Sequence, residues 1–170
     1  MRRWFFPPSG EALVHQIMKG NPNDIVNNRK ARRDYEIFEK FEAGIELRGT
    51  EVKSIREGKV HIREAFARVD KGEAWLYQCD IRPYEQASHE WHVPLRNRRL
   101  LLHKKEIRRM AALTDQQGAT IVPLRLYWKN NRVKVELGVG KGKDARDRRE
   151  DLKRKAHQRE VDRELARLHK

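Results

Sequence analysis

The sequence predicts a mainly β protein, a small closed antiparallel barrel with two or three short helices and a basic C-terminal tail. Segments in which apolar and polar residues alternate recur between positions 35 and 139, and turn residues separate them. Helical periodicity interrupts these segments only briefly, so the chain lacks the strand–helix alternation of a parallel sheet. Apolar and charged residues each make up 38% of the chain, which allows one modest core beneath a heavily charged surface.

Composition divides the chain into three parts. Residues 1–26 contain repeated prolines and glycines and are predicted to be a flexible N-terminal extension, with at most one or two helical turns over residues 11–19. Residues 27–140 hold the alternating segments and are predicted to form the barrel. Residues 141–170 carry twelve Lys and Arg against seven Asp and Glu. This tail is predicted to be disordered in the free protein, because it is a run of charges without an aromatic residue. It is predicted to become helical once bound, because opposite charges stand four residues apart.

The first barrel strand is predicted over residues 34–47, with a bend at Gly44, where the missing side chain permits a bulge or kink. Residues 64–84 are predicted to form a hairpin that turns at residues 70–72. Pro83 is expected to end the second strand of this hairpin, because proline cannot donate to a strand ladder.

A short helix is predicted over residues 50–57, between the first strand and the hairpin. Thr50 suits its N-cap and Gly58 its C-terminal cap, but the position three residues after Thr50 is a lysine instead of the carboxylate of a capping box. Val52 and Ile55 share one face of this helix. We expect these two side chains to plug one end of the barrel, while the cations of the helix face outward.

The second half of the barrel region is predicted to contain a loop, a helix and a hairpin. Residues 85–101 mix polar and aromatic residues and are predicted to be a loop. Residues 101–118 show helical spacing that stops at Gly118. Residues 119–140 are predicted to form the second hairpin, with its turn at positions 130–131. Its first strand is expected to point four side chains the same way: Val122, Leu124, Leu126 and Trp128.

These elements amount to about five strands and two helices without a parallel arrangement. A bent first strand, two hairpins and a helix at one end are typical of an oligonucleotide/oligosaccharide-binding (OB) barrel, with an SH3-like barrel as the nearest alternative. We therefore predict an OB-type barrel over residues 27–140.

The net charge of +14 favours a polyanionic partner, and nucleic acid is the commonest polyanion. Acidic proteins are an alternative partner, and so is anionic membrane, although no amphipathic helix carries large aromatic residues on its apolar face. No segment approaches the roughly 20 apolar residues of a membrane span. Two prolines break the N-terminal apolar run, which argues against a signal peptide. The single cysteine, Cys79, forms no intramolecular disulfide and is predicted to be a buried, unreactive thiol. We predict a soluble cytoplasmic protein.

No constellation of residues predicts catalysis or a bound metal. His89 and His92 have neither the paired spacing nor the fourth ligand of a zinc site. The glycines at positions 138–142 lack the spacing of a phosphate-binding loop. Glu42 and Glu51 are two separated carboxylates in a highly charged chain, which does not establish an acid–base pair. We predict no enzymatic activity, no metal and no cofactor.

Basic clusters interleaved with aromatic residues point to nucleic-acid binding. The clusters lie at residues 27–33, 50–57, 95–105 and 127–135. The aromatic residues near them are Tyr35, Trp75, Tyr84, Trp91, Tyr127 and Trp128. Barrels of this kind hold single-stranded or looped RNA with cations that neutralise phosphate and rings that stack on bases. For the two tryptophans on the predicted strands, burial in the core is the favoured alternative, and charge alone does not separate DNA from RNA.

Five long stretches follow one another in the chain: NRKARRDYEI, FEAGIELRGTEVKSIREGKV, RRLLLHKKEI, LYWKNNRVKVELGVGKGK and DRREDLKRK. Together they span Asn28 to Lys155, and they resemble the small protein B family, the bacterial SsrA-binding proteins. The resemblance implies an OB-type barrel that binds the tRNA-like domain of transfer-messenger RNA and carries this RNA to ribosomes stalled on messages without a stop codon. It also implies a basic tail that is unstructured in solution and lies as a helix in the vacant messenger channel near the decoding centre.

The resemblance further implies which residues form the sites. The RNA-binding positions are Glu42, Leu101, His103, Lys134, Asn28 and Lys30. The tail positions that act at the ribosome are Lys141, Gly142, Lys143, Asp147, Arg148 and Arg149. The chain departs from the family at Asp144, where a cation is common, and at Arg146, where histidine is frequent.

Each implied role has an alternative. Lys134 should neutralise phosphate. Glu42 contributes to RNA binding only if it accepts a hydrogen bond from a base or sugar or orients a neighbouring cation. A surface ion pair is the alternative for Glu42, and core packing is the alternative for Leu101. The implied partners are transfer-messenger RNA and the stalled ribosome, and the chain is expected to be a monomer. A basic ribosome-associated structural module is the alternative function, whereas a nuclease would need a metal-binding carboxylate cluster that the sequence lacks.

Overall fold

The computed structural model describes residues 22–84 and 92–168, which contain four helices and nine strands. The first half comprises β1 (Asp24–Asn27), α1 (Arg29–Asp34), β2 (Tyr35–Ile45), α2 (Gly49–Arg56), β3 (Val60–His61), β4 (Phe66–Asp70) and β5 (Glu73–Tyr77). The second half comprises β6 (Asp80–Ile81), β7 (Arg98–Leu101), α3 (Lys104–Gln117), β8 (Thr120–Lys129), β9 (Arg132–Gly142) and α4 (Ala145–Leu168).

Seven strands form one antiparallel sheet in the order β1-β8-β4-β5-β7-β2-β9. Because β9 pairs with both β2 and β8, six of these strands close into a ring, and β1 adds to the edge of β8 beside β4. β3 and β6 form a separate two-stranded sheet. The prediction of a mainly β, antiparallel architecture with short helices is confirmed.

The inward-facing side chains of the ring form the main core. Ala43, Leu76, Val135 and Leu137 are fully buried there, together with Ile55 from α2. Ile55 lies in the core as predicted, whereas Val52 is only partly buried, and the closing of one end of the ring by α2 stays a prediction. Removing these apolar surfaces from water supplies the main stabilisation of the fold.

A bulge in β8 divides the apolar residues of that strand between two clusters. The pairing of β8 with β9 shifts register between Pro123 and Arg125. Val122 and Leu124 therefore pack under α1, against Ala31, whereas Leu126 faces the main core. The prediction that Val122, Leu124, Leu126 and Trp128 share one face was wrong, because an extra residue in a bulge changes the side to which the following residues point.

The irregularity in β2 lies near its start and not at Gly44, where it was predicted. The register of β2 against β9 shifts between Ile37 and Glu39, and Phe38 between them is largely exposed. Gly44 remains regularly paired with Leu101 of β7. A Cβ on Gly44 would lie 3.2 Å from the Cβ of Leu101, so this glycine lets β7 approach β2 closely.

The α2 helix begins one residue earlier than predicted. Arg48 takes the N-cap position instead of Thr50, and Glu51 therefore stands at position N3. The backbone N–H of Arg48 donates to Oε2 of Glu51 at 2.7 Å. The prediction that this helix lacks the carboxylate of a capping box was wrong for this reason.

Several elements were not predicted from the sequence. Residues 24–26, assigned to the flexible extension, belong to β1, which pairs with β8. Residues 98–101, assigned to a loop, form β7, which joins β5 to β2 and completes the ring. The strand expected to run to Pro83 ends at Tyr77, because Gln78 has a positive φ of 56°. The helical turns predicted at 11–19 and residues 85–91 of the predicted loop lie outside the described residues.

A buried ion network joins α2 to the start of β7 and to the residues just before it. Arg98 donates its Nε to Oε1 of Glu51 at 2.9 Å, and both side chains are fully buried. Arg96 donates to the other carboxylate oxygen at 2.6 Å, and Arg98 also donates to the Cys79 and Pro94 carbonyls. Burial raises the pKa of Glu51, but the hydrogen bonds from Arg96 and Arg48 and the charge of Arg98 outweigh it and hold the pKa below its ordinary value.

The tail region differs from the prediction in two ways. β9 extends through Gly142, two residues past the predicted boundary, and the Lys143 N–H donates to the Asp34 carbonyl at 2.8 Å. Residues 145–168, predicted to be disordered in the free protein, form the 24-residue helix α4. Polar side chains four residues apart support such a helix, as where Gln158 donates to Asp162 at 2.9 Å. Within the described residues no helix is long and apolar enough to cross a membrane.

Candidate nucleic-acid interface

A groove between β2, β7, β9 and the start of α3 brings together Glu42, Leu101, His103 and Lys134, four of the six predicted RNA-binding residues. We call it the Glu42 groove; its volume is about 620 Å³. Its other lining residues are Gly72, Glu73, Arg99, Leu100, Leu102, Lys104, Glu106 and Ile107. Carboxylates, cations and apolar side chains therefore share its lining. The groove suits selective hydrogen bonding more than unselective attraction of phosphate.

Glu42 projects from β2 and is held by two residues of β8. The Tyr127 hydroxyl donates to Oε2, and Lys129 Nζ lies 2.9 Å from each carboxylate oxygen. The hydrogen bonds from Tyr127 and Lys129, assisted by the charge of Lys134, lower the pKa of Glu42 below its ordinary value. The surface ion pair expected as an alternative for Glu42 is present, and the carboxylate remains partly open to solvent.

Leu101 is exposed, so core packing does not explain it. Along β7 Leu100 points into the core with 2% exposure, whereas Leu101 points outward with 53% exposure. His103 follows as the exposed N-cap of α3. Its backbone N–H donates to Glu106 Oε2 at 2.8 Å. Lys134 lies across from Gly44 in the β2–β9 register, which sets it beside Leu101 at the groove.

The other two predicted RNA-binding residues lie on a different surface. Asn28 and Lys30 line a second groove around α1, which we call the basic α1 groove. Its other charged or titratable lining residues are Arg29, Arg32, Arg33, His61, Arg63 and Arg159. The predicted site is therefore divided into two surfaces, and the basic α1 groove carries the denser positive charge. Such a surface attracts a nucleic-acid backbone without reading its sequence.

Asn28 is a structural residue in this arrangement. It is 3% exposed and caps α1 by accepting from the Ala31 N–H at 2.9 Å. Its amide nitrogen donates to the Ile62 carbonyl at 2.9 Å, and its backbone N–H donates to the Leu124 carbonyl at 2.8 Å. Lys30 is an ion-pair partner of Glu64 at 2.8 Å on the surface.

Replacing Asn28 with alanine is expected to lower the free energy of unfolding by about 1–3 kcal/mol, because the variant loses a helix cap and a buried hydrogen bond. Urea denaturation measures the effect. Asn27→Ala is the matched control, since Asn27 is exposed and its side chain donates to Asp24 at the surface at 3.0 Å; a change within about 0.5 kcal/mol is expected there. A stable Asn28→Ala protein that loses RNA affinity would instead assign Asn28 a direct RNA contact.

Tyr127, one of the aromatic residues noted near the basic clusters, makes a contact with Glu42 that the sequence did not predict. Trp75 and Trp128, for which burial was favoured, are partly exposed, and Arg56 lies 5.7 Å from the centre of the Trp128 ring. Tyr127 pairs in register with Lys134, which stands opposite Gly44, and its hydroxyl thereby reaches Glu42. Only correct strand pairing brings these residues together, so no local sequence signal identifies the contact.

The predicted tail residues begin in β9 and continue into α4. Lys141 and Gly142 are exposed at the end of β9, and Lys143 lies in the connection to α4. Asp147 and Arg149 are exposed in the first turns of α4. The helix also contains Arg148, whose side chain lies outside the described part of the structure.

The titratable residues weighed for chemistry have structural roles where they are described. His92 is buried, with its ring nitrogens 3.0 Å from the Thr50 hydroxyl and the Ile81 carbonyl. His89 lies outside the described residues. Burial raises the pKa of the Cys79 thiol to about 11. Among residues 22–84 and 92–168 no three His, Cys, Asp or Glu side chains are grouped so as to hold a metal.

Comparison with known proteins gives a consistent result over most of the chain. The family model described as SmpB protein matches residues 25–167. An SsrA-binding protein of Geobacillus thermodenitrificans is 54% identical over 145 residues, covering 85% of this chain and 94% of the relative. Those of Latilactobacillus sakei and Aquifex aeolicus are 57% and 52% identical, covering 85% and 83% of this chain and 90% of each relative.

A solved structure supports the same relationship. One chain from the work described as "tmRNA-SmpB: a journey to the center of the bacterial ribosome" superposes with a TM-score of 0.60 and is 50% identical. The match covers 71% of this chain and 85% of that chain. From the family match and these identities, we conclude that the chain belongs to the SmpB protein family.

Proposed function

We propose that the protein binds the tRNA-like domain of transfer-messenger RNA through the Glu42 groove and delivers this RNA to stalled ribosomes. The observation that carries the proposal is the meeting of Glu42, Leu101, His103 and Lys134 in one groove. The relatives are SsrA-binding proteins, and the solved neighbour comes from work on tmRNA, SmpB and the bacterial ribosome. We further propose that the ring of strands is an OB-type barrel, which commonly presents such a face to nucleic acid.

Each groove residue has a role that follows from its chemistry. Lys134 neutralises a backbone phosphate, and His103 and Lys104 extend this contact along the start of α3. The exposed Leu101 side chain offers an apolar surface to a splayed base or a ribose. Glu42 accepts a hydrogen bond from a base or a sugar of the RNA. The phosphate oxygens are themselves acceptors and cannot donate to it.

The tail acts at the ribosome in this proposal. α4 has 24 residues, a length of about 36 Å, and exposed cations such as Arg149 and Lys153 suit it to an RNA-lined channel. The tail residues Lys141, Gly142, Lys143, Asp147, Arg148 and Arg149 are proposed to occupy the vacant messenger channel near the decoding centre. The protein is proposed to act as a cytoplasmic monomer without catalytic activity.

Replacing Lys134 with alanine is expected to weaken binding to the tRNA-like domain by about three- to tenfold and to reduce the salt dependence by about one phosphate contact. Binding is measured at several salt concentrations, with ordinary tRNA as the competing ligand. Lys153→Ala, which removes an exposed cation of α4, is the charge-matched control and should leave the affinity unchanged.

A chain ending at Asp144 separates the two activities. This end point keeps all of β9 and the Lys143 contact with Asp34, so the barrel remains intact. The shortened protein is expected to bind the RNA like the full chain but to fail in releasing stalled ribosomes. The alternative, a basic ribosome-associated structural module, would be favoured if the full chain bound tRNA and the tRNA-like domain equally well and if the shortened chain lost this binding.

A further inference from the structure

We propose that Tyr127 and Lys129 are positioning residues that leave the Glu42 carboxylate one open acceptor position, so that the Glu42 groove takes a single hydrogen-bond donor of the RNA. This inference rests on the proposed function, since it concerns how the same groove recognises its ligand. The donor is a single N–H or O–H of the RNA, such as that of an exocyclic base amine or a ribose 2′-hydroxyl.

Three of the four acceptor positions of the Glu42 carboxylate are occupied by Tyr127 and Lys129. An ionised carboxylate has about four positions, two on each oxygen. On Oε2 Tyr127 occupies one and Lys129 the other, and Lys129 also reaches Oε1 at 2.9 Å. Among the described residues these two are the donors to Glu42, so the remaining position lies on Oε1. The carboxylate is partly exposed, which keeps that position accessible.

One open position excludes two-donor recognition. A guanine edge that presents N1–H and N2–H side by side needs both carboxylate oxygens at once. A single donor needs only Oε1 and leaves the contacts with Tyr127 and Lys129 in place. The groove is therefore selective for the donor group and its direction, while Lys134 holds the neighbouring phosphate.

Tyr127 is itself held by a contact with Arg125. The Arg125 guanidinium lies 4.6 Å from the centre of the Tyr127 ring. Arg125 is in turn held at 2.9 Å by both Asp24 of β1 and Glu136 of β9. The tyrosine hydroxyl is thus directed at Glu42 before any RNA arrives, which reduces the ordering needed on binding.

Tyr127→Phe tests the positioning role, because it keeps the ring and its contact with Arg125 and removes only the hydroxyl. We expect the affinity for the tRNA-like domain to fall about three- to tenfold at neutral pH, with an unchanged midpoint of thermal unfolding. An unchanged affinity would overturn the inference. If the unchanged protein fails to prefer the tRNA-like domain over tRNA, the proposed function itself fails, so the two failures are distinguishable.

The pH dependence gives a readout that a merely structural role would not move. The hydrogen bond from Tyr127 is the largest cause of the lowered pKa of Glu42, and the hydrogen bond from Lys129 is the second. Binding that needs the carboxylate is complete above this pKa and is lost as pH falls through it, so Tyr127→Phe should shift the loss to higher pH. The other titratable groups of the groove, common to both proteins, are Glu73, Arg99, His103, Lys104, Glu106 and Lys134. In the Glu42→Gln background, Tyr127→Phe should no longer shift the pH at which binding is lost. Identical curves of binding against pH for Tyr127→Phe and the unchanged protein would contradict the inference.

Modified RNAs identify the source of the donor. Single 2′-deoxy substitutions and, separately, bases that lack the exocyclic amine are introduced along the tRNA-like domain. One substitution should weaken binding to the unchanged protein but not to Glu42→Gln. A 2′-deoxy position with this behaviour assigns a ribose hydroxyl, an amine-less base assigns the amine, and a position at which two adjacent base donors both matter contradicts single-donor recognition.

Discussion

Replacing Glu51 with glutamine is expected to lower the free energy of unfolding by about 3–5 kcal/mol. The substitution leaves Arg98 fully buried without its carboxylate, and Arg96 loses the partner that it contacts at 2.6 Å. Breaking a buried ion pair by removing one partner is costly because the remaining charge is not solvated. The carboxylate also caps α2, so the loss affects the helix that contributes Ile55 to the core.

Urea denaturation at pH 7 measures this effect. Glu57→Gln is the matched control, since Glu57 is an exposed residue paired with Lys59, and its loss should change stability by less than about 1 kcal/mol. Because the pKa of Glu51 is lowered in the folded state, its contribution is complete above the pKa of the unfolded chain and is lost as pH falls through the folded pKa. The unchanged protein should therefore lose stability more steeply in acid than Glu51→Gln. A variant as stable as the Glu57 control would mean that the buried network contributes little.

Gly140→Ala is expected to destabilise the protein by about 3 kcal/mol. A Cβ at this position would lie 2.2 Å from the carbonyl oxygen of Glu36 and 3.0 Å from the Cα of Ile37. Both are backbone atoms of the paired strand β2, so the clash cannot be relieved by turning a side chain. The strands β2 and β9 would have to separate at the point where the ring passes into the tail.

Gly142→Ala is the matched control, because nothing lies within 4 Å of the added Cβ and the glycine has an ordinary φ. The two variants add the same methyl group two residues apart on one strand. Thermal unfolding should show a large decrease in the midpoint for Gly140→Ala and almost none for Gly142→Ala. Equal midpoints would show that the β2–β9 pairing tolerates local separation.

The sequence predicted the elements whose signals are local. Alternation located the two hairpins, and the turn at positions 130–131 is confirmed by positive φ values at Asn130 and Asn131. Helical spacing located α3, which ends at Gly118 in the left-handed region. In each case the residues that decide the structure lie within a few positions of one another.

The features that escaped prediction depend on distant partners. β7 was missed because it begins with two arginines, and an arginine such as Arg98 is buried only when a partner like Glu51 is supplied from elsewhere in the fold. The bulges in β2 and β8 depend on register, which no local pattern specifies. Likewise, the family resemblance supplied Glu42 and Lys134 as site residues, whereas Tyr127 required the paired strands.

The junction between β9 and α4 has a mechanical consequence. Two residues, Lys143 and Asp144, join a strand held on both edges to a helix about 36 Å long. The helix therefore behaves as a lever arm whose pivot is anchored in the ring by the hydrogen bond from Lys143 to Asp34. A rotation of about 20° at the pivot carries the far end of the arm through roughly 12 Å. Small changes of backbone angle in these two residues thus become a large displacement of charge at the distal end of α4, and they also move Arg159 relative to the basic α1 groove that it lines.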